Sequence, residues 1–302
     1  MSTLRAGKIL ALAVLVGCGD ARESTEMGRV QVVVGITPQR AWVEAIGGDH
    51  VAVTVLVAPG QEPETYEPTP RQMVEVVGAD LVFTMGMPFE RVLVARITAD
   101  SAAPRVVDLL AGVERLPMPS GHHHLHDDRS HHPAHSAGEP DPHVWLDPVR
   151  VQTMAVTLRD ALMELAPASA AIFAANHERF DRALAEAHAR NLALLKPFQG
   201  RQILVFHPAY GYFTHRYGLV QVPIEVAGRE PTPRELAAIV ERARRLGTRT
   251  VFVQREFSTE AARAVADAVG GAAVHLDPLA ADFVANLERM ALAVAATLGA
   301  EQ

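Results

Sequence analysis

A short motif occurs twice in the chain and constrains what the chain can fold into. The string EPTPR stands at Glu67–Arg71 and again at Glu230–Arg234, 163 positions later. Two further pairs share an offset of 169 positions, namely Val82-Phe83 with Val251-Phe252 and Asp108 with Asp277. Matches at a nearly constant offset indicate an internal duplication. The sequence therefore predicts two similar lobes.

Within each half, short β-branched runs alternate with helical patterns, which is typical of βαβ units and a parallel sheet. The strands are predicted at Val30–Ile36, Val51–Val57, Leu81–Thr84, Arg105–Leu109, Gln202–Phe206, Leu219–Val222, Thr250–Val253 and Ala273–His275. The lobe helices are predicted at Gln39–Ile46, Pro70–Val77, Phe89–Ala99, Thr232–Leu246, Thr259–Val269 and Asp282–Leu298. The fold class that follows is α/β, with two parallel-sheet lobes.

A long segment without internal Pro or Gly separates the halves. It lies between Pro167 and Pro197 and is rich in Ala, Leu, Glu and Arg, which favour helix. About 28 helical residues would span about 42 Å, enough for a spine that runs along both lobes. Four apolar residues are expected to face the lobes: Phe173, Phe180, Leu184 and Leu195. The predicted domains are an N-terminal lobe (30–167), a linking spine helix (168–197) and a C-terminal lobe (198–302).

The N-terminus has the features of a secretory signal. Arg5 and Lys8 precede a short apolar run that is too short to cross a bilayer. The string LVGC, ending at Cys18, resembles a bacterial lipobox, so residues 1–17 are expected to be removed and Cys18 lipidated. A simple secretory signal with an incidental cysteine is the alternative. With residues 18–29 as a flexible tether, the protein is expected on the periplasmic or cell-surface side, anchored by Cys18.

Seven histidines lie close together in an internal insert, residues 121–139. They are His122, His123, His124, His126, His131, His132 and His135. Such a polar tract cannot form a core, and imidazole suits zinc, copper and nickel. The insert is predicted to be an auxiliary loop that collects metal ions; a solvated loop without function is the alternative.

Composition excludes several other classes of protein. A net charge of −7 gives no basic face for nucleic acid. The single cysteine excludes a disulfide framework and a thiolate zinc site. The HExxH motif of zinc hydrolases and the GxSxG motif of serine hydrolases are both absent. No enzymatic activity is predicted.

A site that holds one ion needs three or four ligands converging from separate elements. Four candidates follow predicted strands, where open α/β sheets bind their ligands, or lie in the segment after the insert. They are Glu64, His143, His207 and Asp277.

These segments also carry a family resemblance over residues 30–300. The strings YEPTP, DPHVWLDP, FHPAYGYF and LDPLA, together with the lipobox, the His-rich insert and the long spine, resemble the ZnuA-like (cluster A-I) metal-binding solute receptors of bacterial zinc and manganese ABC importers. The resemblance implies a monomeric lipoprotein that captures a divalent ion and delivers it to a permease in the inner membrane. It implies Glu64, His143, His207 and Asp277 as the ligands.

The first ligand departs from the family pattern. The family usually has histidine where this chain has Glu64, and a carboxylate hardens the site toward manganese. His207 argues for zinc, because the manganese receptors tend to have glutamate there. Zn²⁺ is therefore the expected transported ion and Mn²⁺ the alternative. A surface metallo-lipoprotein or adhesin and, with least support, a zinc hydrolase remain as other hypotheses. Three acids are candidates for supporting the ligands, namely Glu67, Asp147 and Glu230.

Overall fold

The computed structural model describes residues 28–97, 103–118, 140–225, 232–257 and 259–301. The predicted signal, the lipidation site at Cys18 and the His-rich insert lie outside these ranges.

The N-terminal lobe is built on a four-stranded parallel sheet with strand order β2-β1-β3-β4. Its strands are β1 (Val30–Val34), β2 (Val51–Val55), β3 (Leu81–Thr84) and β4 (Arg105–Asp108). Its helices are α1 (Thr37–Gly47), α2 (Pro70–Val77), α3 (Pro88–Ile97) and α4 (Pro148–Leu165). The strands β1 and β3 are almost wholly buried, as expected where helices cover both faces of a parallel sheet.

The C-terminal lobe repeats this plan, with strand order β6-β5-β7-β8. Its strands are β5 (Gln202–Val205), β6 (Val220–Pro223), β7 (Thr250–Val253) and β8 (Ala272–His275). Its helices are α6 (Gly211–Tyr217), α7 (Pro233–Leu246), α8 (Thr259–Ala268) and α9 (Phe283–Ala300). The equivalent strand orders confirm the predicted pair of similar lobes.

The repeated EPTPR motif has the same local role in each lobe. Thr69 caps α2 and Thr232 caps α7, and each threonine forms a capping box with the residue three positions later. Each motif also places a proline at the first helical position, where a missing N–H costs nothing. The duplicated motif is therefore a helix start signal in both lobes.

The spine is helix α5 (Ala170–Leu195), 26 residues long. Short 3₁₀ turns at Pro167–Ser169 and Lys196–Phe198 flank it. It packs on α1 and α4 of the N-terminal lobe and on α9 of the C-terminal lobe. The four apolar residues predicted to face the lobes are all buried. One hydrophobic core runs continuously from the first lobe through the spine to the second.

Two helices were not predicted from the sequence, namely α4 and α6. Helix α4 carries clear signals: Asp147 accepts from the N–H of Val149, and Pro148 occupies the first helical position. Helix α9 is long and apolar enough, by length and composition, to span a membrane. Its Leu287, Met290 and Val294 instead belong to the core, which identifies it as a packed lobe helix.

Candidate metal centre

Three predicted ligands meet between the lobes. The Nε2 atoms of His143 and His207 lie 3.3 Å apart, and each lies 3.3 Å from Oε1 of Glu64. A tetrahedral zinc ion with bonds of about 2.05 Å has ligand atoms about 3.3 Å apart. The three donor atoms therefore stand where three corners of a tetrahedral zinc site would be.

The fold brings these side chains together from three loops. Glu64 lies in the loop between β2 and α2, and His207 lies two residues after β5. His143 directly precedes a 3₁₀ turn, Val144–Leu146, that leads into α4. The carboxyl ends of β2 and β5 are edges at which parallel sheets place ligands. Both lobes thus contribute to one site.

A carboxylate orients each imidazole. Asp141 Oδ1 lies 2.8 Å from Nδ1 of His143 and also accepts from the backbone N–H of His143. Glu225 Oε2 lies 2.6 Å from Nδ1 of His207. In each pair the Nδ1–H donates to the carboxylate, which directs Nε2 toward the other ligands. This is the arrangement of metal-bound histidines in general.

The fold makes room for Asp141 with a glycine. A Cβ atom at Gly211, the first residue of α6, would lie 2.6 Å from Oδ2 of Asp141. A side chain at that position would therefore displace this carboxylate, and glycine leaves it in place.

The site is buried and negatively charged. His143 and His207 are each 4% exposed, and the side chain of Glu64 is 11% exposed. Burial lowers the pKa of His207, but hydrogen bonds and charges from Glu225 and Glu64 outweigh it and raise the pKa to about 10. In the metal-free protein, a proton on His207 is therefore held between two carboxylates.

Aromatic rings and two more acids complete the pocket. The ring of Phe257 stacks on His207 with centroids 4.8 Å apart, and Trp145 lies 5.1 Å from His143. Glu62 and Glu256 line the same pocket. Burial raises the pKa of both, and a neighbouring carboxylate adds to the rise: Glu64 for Glu62 and Asp277 for Glu256. No lysine or arginine is among the described residues that line this pocket.

Asp277, the fourth predicted ligand, does not join the cluster. Among the described residues, the group whose donor atoms lie within 4.8 Å of one another comprises Glu64, His143 and His207. Asp277 Oδ1 instead accepts from the backbone N–H of Leu279 at 2.9 Å. Asp277 is also absent from the pocket lining.

Of the three predicted supporting acids, the two that the structure describes do not contact the ligands. Asp147 pairs with Arg150 and Arg216, and Glu67 is exposed; Glu230 lies outside the described residues. The sequence reasoning missed Asp141 and Glu225. Asp141 carries a local signal, since it stands two residues before His143. Glu225 lies two residues after β6 and could have been recognised only as a further acid at a strand end.

Comparisons with known proteins agree with the fold and show the family. The model of the ZnuA family, described as zinc-uptake complex component A, periplasmic, matches residues 32–296. The high-affinity zinc uptake system protein ZnuA of Yersinia pestis is 30% identical over 272 residues, which cover 84% of this chain and 84% of that protein. Zinc-binding protein AdcA of Streptococcus pyogenes is 27% identical over 86% of this chain, which spans only 52% of AdcA.

A solved structure supports the same relationship. The crystal structure of ZnuA superposes with a TM-score of 0.79 at 34% identity, covering 89% of this chain and 99% of that one. The family match covers nearly all of both lobes and the spine, including all three clustered residues. The chain therefore belongs to the ZnuA family of periplasmic zinc-uptake components.

Proposed function

We propose that this protein captures Zn²⁺ outside the cytoplasm and delivers it to the permease of an ABC importer. The triangle of donor atoms from Glu64, His143 and His207, with edges of 3.3 Å, carries the proposal. Two neutral imidazoles and a carboxylate are zinc ligands, and the spacing suits a small tetrahedral ion. The zinc-related names of ZnuA and AdcA support the same ion.

Zinc is a substrate in this proposal and not a catalytic cofactor. Two histidines and one glutamate also form the ligand set of some zinc hydrolases. The HExxH motif is absent, and membership of a transport-receptor family argues against hydrolysis. The acids and aromatic rings around the ligands serve to hold the ion and exclude water.

The proposed location outside the cytoplasm is supported by the N-terminal sequence and by the family. The family description is periplasmic. A lipid on Cys18 would hold the receptor, as a monomer, beside an inner-membrane permease. Replacing Cys18 with serine should release the protein from the membrane fraction, whereas full retention of the variant would contradict the anchor.

The His-rich insert is proposed to collect ions for the site. Its flanks are tied together by an isolated bridge between Pro117 and Pro140, and Asp141 N–H donates to Leu116 at 2.8 Å. The residues that flank the insert therefore meet directly beside Asp141, which orients His143. Weak exchanging imidazole sites there would raise the local concentration of zinc.

Calorimetry tests the zinc site directly. The protein from Gly19 onward, lacking residues 121–138, should bind one equivalent of Zn²⁺ tightly and more tightly than Mn²⁺. Glu64→Ala should weaken that binding, because it removes one of three donors. A preference for Mn²⁺ would mean that the carboxylate of Glu64 has changed which ion the site prefers. Zinc binding unaffected by Glu64→Ala would contradict the ligand assignment.

A further inference from the structure

A buried hydroxyl of the C-terminal lobe reaches the segment that carries the ligand His143. Tyr212, the second residue of α6, is fully buried, and the guanidinium of Arg150 lies over its ring, 5.1 Å from the centroid. We propose that Tyr212 is a positioning residue of the zinc site, which fixes Asp141 and, through Asp141, the imidazole of His143. The inference rests on the proposed zinc-receptor function and deepens it, because one lobe then orients a ligand that the other lobe supplies.

The Tyr212 hydroxyl makes two hydrogen bonds across the boundary between the lobes. It donates to the backbone carbonyl of Asp141 at 3.0 Å and accepts from the backbone N–H of Leu116 at 3.0 Å. The N–H of Asp141 donates in turn to the carbonyl of Leu116 at 2.8 Å. Burial raises the pKa of Tyr212 above its ordinary value of 10, so the hydroxyl keeps the proton that it donates. Leu116 and Asp141 therefore hold each other, and Tyr212 holds both.

Asp141 has few other anchors. Its Oδ1 accepts from the backbone N–H and the Nδ1–H of His143, and its buried Oδ2 has no hydrogen-bond partner among the described residues. Gly211 leaves space for Oδ2 without bonding to it. In the described part of the chain, the hydrogen bonds of Asp141 are thus with Leu116, His143 and Tyr212, and only Tyr212 belongs to the C-terminal lobe.

Loss of the hydroxyl should loosen Asp141 without removing its carboxylate. The Asp141 carbonyl and the Leu116 N–H would each lose a partner inside the protein, and the carboxylate could then shift away from Nδ1 of His143. A carboxylate behind a metal-bound imidazole fixes the orientation of the ring and raises its basicity. The ion should therefore bind less tightly when Tyr212 cannot donate.

The experiment compares two tyrosines of α6. Tyr212→Phe removes the hydroxyl and keeps the ring. Tyr217→Phe is the matched control, because Tyr217 is 1% exposed and its hydroxyl accepts a long contact of 3.5 Å from Asn191 Nδ2. Zinc affinity is measured on the protein from Gly19 onward, with its insert in place, in a chelator buffer that loads only the tightest site. Tyr212→Phe should weaken binding by about tenfold, the smaller loss expected when an outer partner of a ligand is removed; Tyr217→Phe should leave it unchanged.

A double-mutant cycle separates positioning from general support of the fold. If Tyr212 acts through Asp141, then Tyr212→Phe should cost less than about threefold once Asp141→Asn is present, because residues in one hydrogen-bond network are not additive. In the Glu225→Gln background, which affects the other imidazole, Tyr212→Phe should keep its full cost of about tenfold, because Tyr212 and Glu225 share no hydrogen-bond partner.

A second measurement needs no variant and decides the case in which Tyr212→Phe does not fold. If the network of Leu116, Asp141 and Tyr212 supports zinc binding, then zinc must stabilise the network by the same free energy. Zinc should therefore slow amide hydrogen exchange at Leu116 and Asp141 more than at Leu110, whose N–H donates to Asp108 in the same lobe. Equal slowing at all three amides would contradict the inference.

Three results with the variants would overturn the role of Tyr212. They are an unchanged affinity in Tyr212→Phe, an equal loss in Tyr217→Phe, and equal losses in the Asp141→Asn and Glu225→Gln backgrounds. If Glu64→Ala weakens zinc binding but Tyr212→Phe does not, only this inference fails. If neither substitution weakens zinc binding, the proposed function fails as well.

Discussion

At the scale of single residues, we expect the acids that contact the two imidazoles to affect how tightly the site binds zinc. Asp141 Oδ1 lies 2.8 Å from Nδ1 of His143, and Glu225 Oε2 lies 2.6 Å from Nδ1 of His207. We expect Asp141→Asn and Glu225→Gln each to weaken zinc binding by about 10–100-fold, because the imidazole loses its fixed orientation and part of its basicity. A chelator competition assay measures the loss. Asp282→Asn, at an exposed ion pair with Arg289, is the control and should leave binding unchanged.

Because His207 is protonated in the metal-free protein, zinc binding is expected to depend on pH. Its pKa of about 10 lies above the ordinary value of 6.5, so the metal-free protein at pH 7.5 carries a proton that zinc must displace. Binding should release about one proton from this residue, and the apparent affinity should rise with pH until about 10. Calorimetry in buffers of different ionisation enthalpy counts the released protons. No proton release at pH 7.5 would contradict the prediction.

The same proton affects folding stability in the opposite direction. A raised pKa means that the folded metal-free protein binds the proton more tightly than the unfolded chain does. This stabilisation is fully present below about pH 6.5 and is lost as the pH rises through about 10. The metal-free protein should therefore lose this contribution at alkaline pH, where zinc binds best.

The sequence predicted the three side chains that the structure brings together, but not the hydrogen-bond network around them. Glu64, His143 and His207 could be found because they lie at strand ends or in motifs that resemble a family. The role of Glu225 could not be found from the sequence. It depends on a contact with His207, 18 residues away, and no local pattern encodes that contact. The assignment of Asp277 came from the family motif, while its local hydrogen bond to Leu279 became visible only in the structure.

At the scale of elements, the spine holds each lobe through a buried asparagine. Asn176 Nδ2 donates to the carbonyl of Ile46 at 2.9 Å, and Asn191 Nδ2 donates to the carbonyl of Leu287 at 3.1 Å. Ile46 is in the last turn of α1, where carbonyls lack a helical partner. Leu287 is in the second turn of α9, where the carbonyl keeps its own helical bond. The Ile46 carbonyl therefore depends on Asn176 for its hydrogen bond, whereas the Leu287 carbonyl does not depend on Asn191.

This inequality gives a prediction for stability. Asn176→Leu should lower the free energy of unfolding by about 1–3 kcal/mol, because it leaves a buried carbonyl without a donor. Asn191→Leu, the matched change at the other lobe, leaves the Leu287 carbonyl its helical donor and removes only a long contact, 3.5 Å, with the Tyr217 hydroxyl, so it should cost less. Thermal or urea unfolding of both variants measures the difference. Equal losses of stability would show that the donor supplied to the carbonyl at the end of α1 is not the cause.

All eight strands were predicted from short β-branched runs. The four central strands, β1, β3, β5 and β7, are the mostly buried ones, and strands buried on both faces of a parallel sheet read as continuous apolar runs. Helix α4 was missed although Asp147 and Pro148 mark its start. Its apolar residues, including Val151, Met154 and Leu158, recur at helical spacing and are buried. The segment that carries these helix signals also carries His143, four residues before Asp147.

At the scale of the whole molecule, the lobes contact each other directly as well as through the spine. Trp145 Nε1 donates to the carbonyl of Pro278 at 2.8 Å. Trp42 of α1 meets Phe283 of α9 edge to face, with centroids 5.3 Å apart. Both tryptophans are buried, so only small tilts of one lobe against the other keep these contacts intact. Zinc capture is therefore expected to move side chains and loops more than whole lobes.

An ion pair between Asp147 and Arg216 also joins the two lobes directly. Asp147 starts α4 and is fully buried, and Arg216 of α6 reaches it from the other lobe with hydrogen bonds of 2.8 and 2.7 Å. Arg216→Met should lower the free energy of unfolding by about 1–3 kcal/mol, a reduced cost because Arg150 still pairs with Asp147. It should also speed zinc dissociation, since His143 precedes Asp147 by four residues and His207 belongs to the lobe of Arg216.

Stopped-flow fluorescence of Trp145, whose ring lies beside His143, measures that dissociation after chelator is added. Arg190→Met removes an exposed pair with Glu288 that also joins the spine to the C-terminal lobe, and it should change neither stability nor dissociation appreciably. If the Arg216→Met variant is destabilised but releases zinc at the same rate as the unmodified protein, the effects on stability and on zinc dissociation are separate. In that case Asp147 and Arg216 would hold the lobes together without determining how long the ion stays bound, and the loops that carry the ligands would set that time alone.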